Sequence, residues 1–373
     1  MGHLGPVVDA RLAQALAAHQ GGRLAEAEAL YRAILDDDPA QANALHLLGA
    51  VRLQRGDPGQ AAAWIAQAIA LQPEVAAFHG NLATALRQQG RLPEALASYE
   101  QALALDPGYL DGLVNRGVLL KDMGQLEAAL ASVERALQID PANVSALNNR
   151  GLILQRLGQP EAALASFDRA LARQPDHAEA HNNRGIALRH LGRYEEALGC
   201  YARALELKPS YPDAWNNRGN VLKALGRFDE ALAAYEQALT LDPGAHRAHN
   251  NRGNALKALG QIDGALASYE SALNLQPDDI QTLNNEGSAL IDLHRFDAAG
   301  ERFERILGQN PEYALAQKNQ AMLLLLQGRF AEGWPRYEWR RRDEHSGLVG
   351  KHFPHPQWRG EALAGQRILL HCE

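Results

Sequence analysis

Cysteine is nearly absent: Cys200 and Cys372 are the only two in 373 residues. They sit in unrelated contexts, define neither a disulfide framework nor a zinc knuckle, and suit a reducing compartment. Aromatic residues make up only 6% of the chain, and no apolar run approaches the roughly 18 residues that span a bilayer. Membrane insertion is therefore not expected. Met1 to Pro6 shows no basic segment followed by an apolar core, so no secretory signal is expected and the cytoplasm is the expected location. Cations are also scarce, with 37 Lys plus Arg against 44 Asp plus Glu, a net charge of -7. Phosphate contacts need the opposite balance, so nucleic acid is not an expected partner. The sequence contains no glycine-rich phosphate loop, no Gly-x-Ser-x-Gly and no triad. His345, His352, His355 and His371 follow no zinc spacing. Within these residues no catalytic group, metal ligand or cofactor site is expected.

What the chain has in abundance is repetition. Pro39, Pro73, Pro107, Pro141, Pro175, Pro209, Pro243, Pro277 and Pro311 stand 34 residues apart without a slip. Residues 178–211 serve as the reference unit. Ala180, Gly185, Leu188 and Leu191 fall at helical spacing, and Gly192 supplies the positive-φ residue that ends a helix. A second helical pattern follows in Ala197, Leu198, Tyr201, Ala204, Leu205 and Leu207, closed by Pro209. Each unit reads as a helical hairpin. Gly185, Ala197 and Ala204 are small where the helices must approach, and Tyr201 is large where the gap must be filled.

This pattern resembles the tetratricopeptide repeat in length and in its order of Gly, Ala, aromatic, Ala and Pro. The expected fold is all-α: a superhelical solenoid of about ten hairpins with a short extended C-terminal tail. The proline register sets units at 8–41, 42–75, 76–109, 110–143, 144–177, 178–211, 212–245, 246–279, 280–313 and a degenerate 314–347. Residues 1–7 are then an N-terminal tail, and 348–373 a linker and the first strand of a following domain. The resemblance implies that first helices line the concave face and second helices the outside. Departures mark particular joints. His294 replaces the interhelical glycine, Ile65 the usual aromatic, and Leu47 the asparagine of later units. Pro335 is expected in the first turn of a late-starting last helix.

One asparagine recurs in each unit: Asn81, Asn115, Asn149, Asn183, Asn217, Asn251, Asn285 and Asn319. Asparagine is roughly 0.6 kcal/mol worse than alanine in a helix, so eight of them cost about 5 kcal/mol unless hydrogen bonds offset it. An amide offers two donors and an acceptor, which matches a peptide unit. The row can hold the main chain of an extended polypeptide, or it can bond within the array and fix one repeat against the next. The repeats of O-linked N-acetylglucosamine transferases carry such a ladder, and the resemblance favours peptide binding.

Arg116, Arg150, Arg184, Arg218 and Arg252 follow the asparagines directly. A further residue turns about 100° round a helix, toward the flank between repeats, where a structural role is expected, with stems packed between repeats and guanidinium groups paired to carboxylates. Arg87, Lys121, Arg189, Lys223 and Lys257 lie six residues after the ladder, with Gln155 in their midst. They form either a basic groove edge that favours acidic segments or a solvated basic face. The clamp by which some tetratricopeptide domains hold a chaperone's C-terminal carboxylate needs lysines where this chain has Asn148, Asn182, Asn216 and Asn250. Only Lys318 matches, and the clamp is not expected.

Residues 328–340, Pro356 to Glu361 and Ile368 to Glu373 resemble the junction in bacterial tetratricopeptide proteins that continue into a glycosyltransferase-like domain. Arg367 to Cys372 reads as a buried strand with no partner in an all-helical array. The resemblance implies a protein-recognition arm of such an enzyme. A sugar nucleotide would bind only downstream of these residues. Two other readings stay open: a free-standing scaffold, and repeats that serve a homodimer.

Overall fold

The computed structural model describes residues 5–342, with side chains from residue 10 onward. It confirms the all-helical tetratricopeptide solenoid, with twenty α-helices and no strand among the described residues. Hairpins follow one another as α1 (Gly5–Gln20) and α2 (Leu24–Asp37), α3 (Ala42–Gln54) and α4 (Pro58–Leu71), α5 (Ala76–Gln88) and α6 (Leu92–Leu105), α7 (Leu110–Asp122) and α8 (Leu126–Ile139). Then come α9 (Val144–Arg156) and α10 (Pro160–Arg173), α11 (Ala178–His190) and α12 (Tyr194–Leu207), α13 (Pro212–Ala224) and α14 (Phe228–Leu241). The last are α15 (His246–Ala258) and α16 (Ile262–Leu275), α17 (Ile280–Asp292) and α18 (Phe296–Gln309), α19 (Ala314–Leu326) and α20 (Phe330–Tyr337). The chain divides into two compact units, Met1–Val221 and Leu222–Glu373. α1 starts at Gly5, ahead of the unit boundary at residue 8. The linker and strand expected over 348–373 lie outside the described residues.

In six hairpins Gly49, Gly117, Gly151, Gly185, Gly253 and Gly287 sit against a large side chain of the second helix, and Ala15, Ala83 and Ala321 take that place in three others. A Cβ on Gly185 would stand 2.6 Å from the Tyr201 ring, which is fully buried. Any larger residue there would push the helices apart and open the core. Ile65 and Val133 take the aromatic's place in two hairpins and are as fully buried as the tyrosines. The turn between helices needs positive φ, which Gly192 supplies at 71° with open space around it. His294 adopts φ 56° at the same place, alone among described non-glycine residues. The hairpin forms around it, with Arg295 N–H bonding the Leu290 carbonyl at 2.9 Å.

Proline ends each second helix, and its own carbonyl must find a donor. His79, His181, Trp215, His249 and Gln317, each six residues on, bond the carbonyls of Pro73, Pro175, Pro209, Pro243 and Pro311. Leucine stands at that place in α7 and α9. There Arg135 and Arg169 reach back from the second helices to Pro107 and Pro141, each at 3.0 Å. The same carbonyl is met from two different positions, one on the following first helix and one on the following second helix.

The last hairpin corrects one expectation. α20 does not start late: it begins at Phe330, and Pro335 lies inside it. The Pro335 ring removes the N–H that would bond the Ala331 carbonyl. The helix stops at Tyr337 and tightens into a 3-10 turn over Glu338–Arg341.

Candidate functional site

Within each unit the first helices of successive hairpins lie side by side, and the ladder asparagines sit at their seam. Asn183 Nδ2 donates to Asn148 Oδ1 at 3.1 Å, and Asn217 Nδ2 to Asn182 Oδ1 at 3.0 Å. In the second unit Asn285 donates to Asn250 and Asn319 to Asn284, each at 2.9 Å. Donor and acceptor are 35 residues apart every time. The acceptor is therefore the neighbour of the previous rung, in the column where a carboxylate clamp would carry lysine. Of the acceptors, Asn182, Asn250 and Asn284 are buried and Asn148 is half-buried.

The remaining rungs differ. Asn81 Nδ2 meets His46 Nε2 at 2.7 Å, because position 46 holds histidine instead of asparagine. His46 is buried against the Phe78 ring, and desolvation pushes its pKa down from 6.5 to about 4. The neutral ring can accept the amide proton. Asn149 bonds the Ser145 carbonyl in its own helix at 3.0 Å, and Asn251 is engaged as well. Asn115 is exposed and makes no side-chain hydrogen bond among the described residues. Each seam bond uses a single Nδ2 hydrogen. Asn183 Oδ1 accepts from Asn182 Nδ2 at 3.4 Å, whereas the Oδ1 atoms of Asn217 and Asn285 accept nothing from described residues, so each of those two amides keeps its acceptor and one donor unused.

The arginine column lies between hairpins. Arg150 reaches Glu134 on the previous second helix at 3.2 Å and the Ser166 hydroxyl on its own at 2.9 Å. Arg184 does the same with Asp168 at 2.6 Å and Cys200 Sγ at 2.9 Å. Burial raises the Cys200 pKa and Arg184 opposes the shift, so the thiol is kept as a weak partner, away from reaction. Arg252 bonds Ser268 at 3.1 Å, Arg116 bonds Ser132 at 3.4 Å, and Arg218 lies 5.4 Å over the Trp215 ring. Where the column turns to Glu286, the residue sixteen further on has become Arg302, at 2.6 Å. The ion pair has moved from the preceding second helix to the hairpin's own.

The third column is placed at the C-terminal ends of the first helices. Arg87 and Lys121 share Asp122, at 3.3 and 3.8 Å. Lys257 bonds Ser288 at 2.5 Å and Asp292 at 3.2 Å. Lys223 is also engaged. Arg189 donates to the His190 ring at 2.9 Å, and the His190 pKa is lowered first by burial and then by Arg189. Gln155 bonds the Asn183 carbonyl at 3.1 Å. Two participants were not singled out from the sequence: His46, which holds an acceptor slot, and Arg156, exposed beside Gln155. The 35-residue offset from Asn81 points to the first. The second differs from its counterparts Asp122 and His190 in charge, a difference visible only when units are aligned.

No group of three or more His, Cys, Asp or Glu among the described residues could hold a metal, and no described helix is long and apolar enough to cross a membrane.

Hairpins with a fixed register, glycine against aromatic and a proline stop define a helical repeat scaffold for protein–protein interaction. The chain belongs to the tetratricopeptide repeat family: models of that repeat match residues 3–42, 46–109, 150–212 and 284–333, then 212–244 and 246–279, and a third covers 117–158. Among solved structures, a tetratricopeptide repeat protein from Parabacteroides merdae is 23% identical, over 67% of this chain and 98% of that one, with TM-score 0.55. PilW, a type IV pilus biogenesis factor, is 24% identical, over 54% and 94%, with TM-score 0.52. Pseudomonas aeruginosa pilF is 22% identical, over 57% and 97%, with TM-score 0.51. These likenesses concern the fold. Comparison with curated protein sequences gave no match.

Proposed function

We propose that the first-helix face binds an extended polypeptide by its main chain, through the asparagine ladder, in the cytoplasm. The supporting observation is the partly used amide: Asn217 and Asn285 each spend one N–H on the seam and keep a carbonyl oxygen and a second N–H unbonded among the described residues. Such a pair matches a peptide unit, and each net bond contributes about 0.5–1.5 kcal/mol, so several rungs must act together. A role as recognition arm of a larger glycosyltransferase-like protein is the finer form of this proposal. It rests on residues 328–373, and an open reading frame after Glu373 that encodes Gly-x-Gly-Asp would support it, whereas a stop codon would favour a free-standing scaffold.

Two double variants separate binding from packing. Asn115→Ala with Asn149→Ala removes no described bond between repeats, while Asn183→Ala with Asn217→Ala removes two. With a fluorescein-labelled unfolded polypeptide as probe, the first pair should weaken binding several-fold at unchanged melting temperature. The second should lower both affinity and melting temperature. Intact affinity in both variants would show that the ladder only joins repeats.

A further inference from the structure

The proposed binding of a main chain leaves open what side chains that chain carries, and the face between α7 and α11 bears on it; the inference here rests on that reading. In α11, Glu179, Asn182, Asn183, Ile186, Arg189 and His190 fall in one arc of about 120° at 100° per residue. Bonds between neighbours set the arcs of successive helices edge to edge: Asn183 to Asn148, Gln155 to the Asn183 carbonyl, and Arg156 to the Lys121 carbonyl at 2.7 Å. Three bands therefore cross the face. Amides come first, then Val118, Leu152 and Ile186, then Lys121, Arg156 and Arg189.

The basic band carries more charge than it neutralises. Asp122 is its one carboxylate, and Arg87 and Lys121 share it. Arg156 and Arg189 have no carboxylate partner among the described residues: the first bonds a carbonyl, the second a neutral ring. In a chain of net charge -7 this is a local positive excess.

The apolar band is marked by a separate observation. Tyr99 pairs its hydroxyl with Thr84 at 2.9 Å, and Tyr269 donates to Asn254 at 2.8 Å, each partner lying fifteen residues earlier on the first helix. For Tyr201 that residue is Ile186, so its fully buried hydroxyl has no partner at that position and is left to the electrostatic influence of the Arg189 guanidinium. The Tyr201 hairpin forgoes the bond that the Tyr99 and Tyr269 hairpins make and presents a half-buried aliphatic side chain instead.

We propose that hairpins 110–211 select an extended polypeptide in which an apolar residue adjoins a carboxylate residue. The apolar side chain rests on Leu152 and Ile186, and the carboxylate meets Arg156 and Arg189. Both guanidinium groups retain N–H donors for a carboxylate.

The test uses the full chain and three fluorescein-labelled peptides, each a triple repeat: Ser-Leu-Asp-Gly, Ser-Leu-Lys-Gly and Ser-Ser-Asp-Gly. Fluorescence anisotropy should show the first binding at least about ten-fold tighter than either other at low salt, with the gap narrowing as salt rises. Arg156→Gln with Arg189→Gln should bring the Asp and Lys peptides together, while circular dichroism reports an unchanged fold. Equal affinities for the Asp and Lys peptides in the unsubstituted protein would overturn the inference, as would a preference that survives the double variant. If all three bind alike and Asn115→Ala with Asn149→Ala weakens all three, the ladder reading stands and only the side-chain preference falls. Failure of every peptide to bind sinks both.

Discussion

α9 with α11 and α15 with α17 are first-helix pairs on one sequence register, yet they present different surfaces. In the first pair the residues three beyond the ladder are Leu152 and Ile186, and the arginines beyond them meet no carboxylate. In the second they are Asn254 and Ser288, and Lys257 is held by Ser288 and Asp292. The seam is alike in both, Asn183 on Asn148 and Asn285 on Asn250. A repeat protein can hold its joints constant and vary the surface a few ångströms away, because each joint needs only its own amides and glycine while the arc beside them faces outward.

Acid should break the likeness of the joints most strongly. The rung at Asn81 depends on neutral His46, whose folded pKa is about 4 against 6.5 when unfolded. The unfolded chain takes up a proton below pH 6.5 that the folded chain refuses, so stability falls as pH drops from 6.5 toward 4. The loss amounts to about 3 kcal/mol at one unit per 1.36 kcal/mol. Hydrogen exchange near pH 4 should show α3 and α5 loosened while the asparagine rungs of α15 and α17 stay protected, and His46→Asn should remove the difference. Uniform loosening along the array would contradict this account.

An exchange of surface residues comes next in size. Asn254→Ile should strand the Tyr269 hydroxyl and destabilise its hairpin by about 1–3 kcal/mol. Ile186→Asn gives Tyr201 a partner but loses half-buried aliphatic surface, so it should change stability by less than about 1 kcal/mol. Local exchange rates in α16 and α12 measure both. Comparable destabilisation by the two would mean that Tyr201 already has a satisfactory environment.

The smallest effect belongs to the ion pair. Lys257→Gln removes a contact that is partly exposed on both sides, and should cost no more than about 0.5 kcal/mol. A larger shift in the α17 exchange rates would show that the Ser288 bond carries the stability instead.

Most of the fold could be read without coordinates. Nine prolines in register, Gly185 opposite Tyr201, and Gly192 at the turn each impose a local condition that few other residues meet. α20 begins at Phe330, 34 residues after Phe296, so the repeat register outweighs Pro335, which acts only on where the helix ends. The arginine column was legible as a flank, since one step round a helix leaves little choice. Pairing with carboxylates was legible too, but which carboxylate and which hydroxyl was not, because Glu134 and Ser166 belong to two different hairpins.

The sequence by itself determined the repeat, its period, its helices and their close approach, because glycine, proline and a buried aromatic act through sterics within one hairpin. Only the tertiary structure decided what the asparagines bond to. Their acceptors lie 35 residues away, and an amide has no preference between a neighbour and a ligand until helices are side by side. Tertiary structure likewise decided which cations remain without carboxylates, since charge compensation is a property of distances between helices.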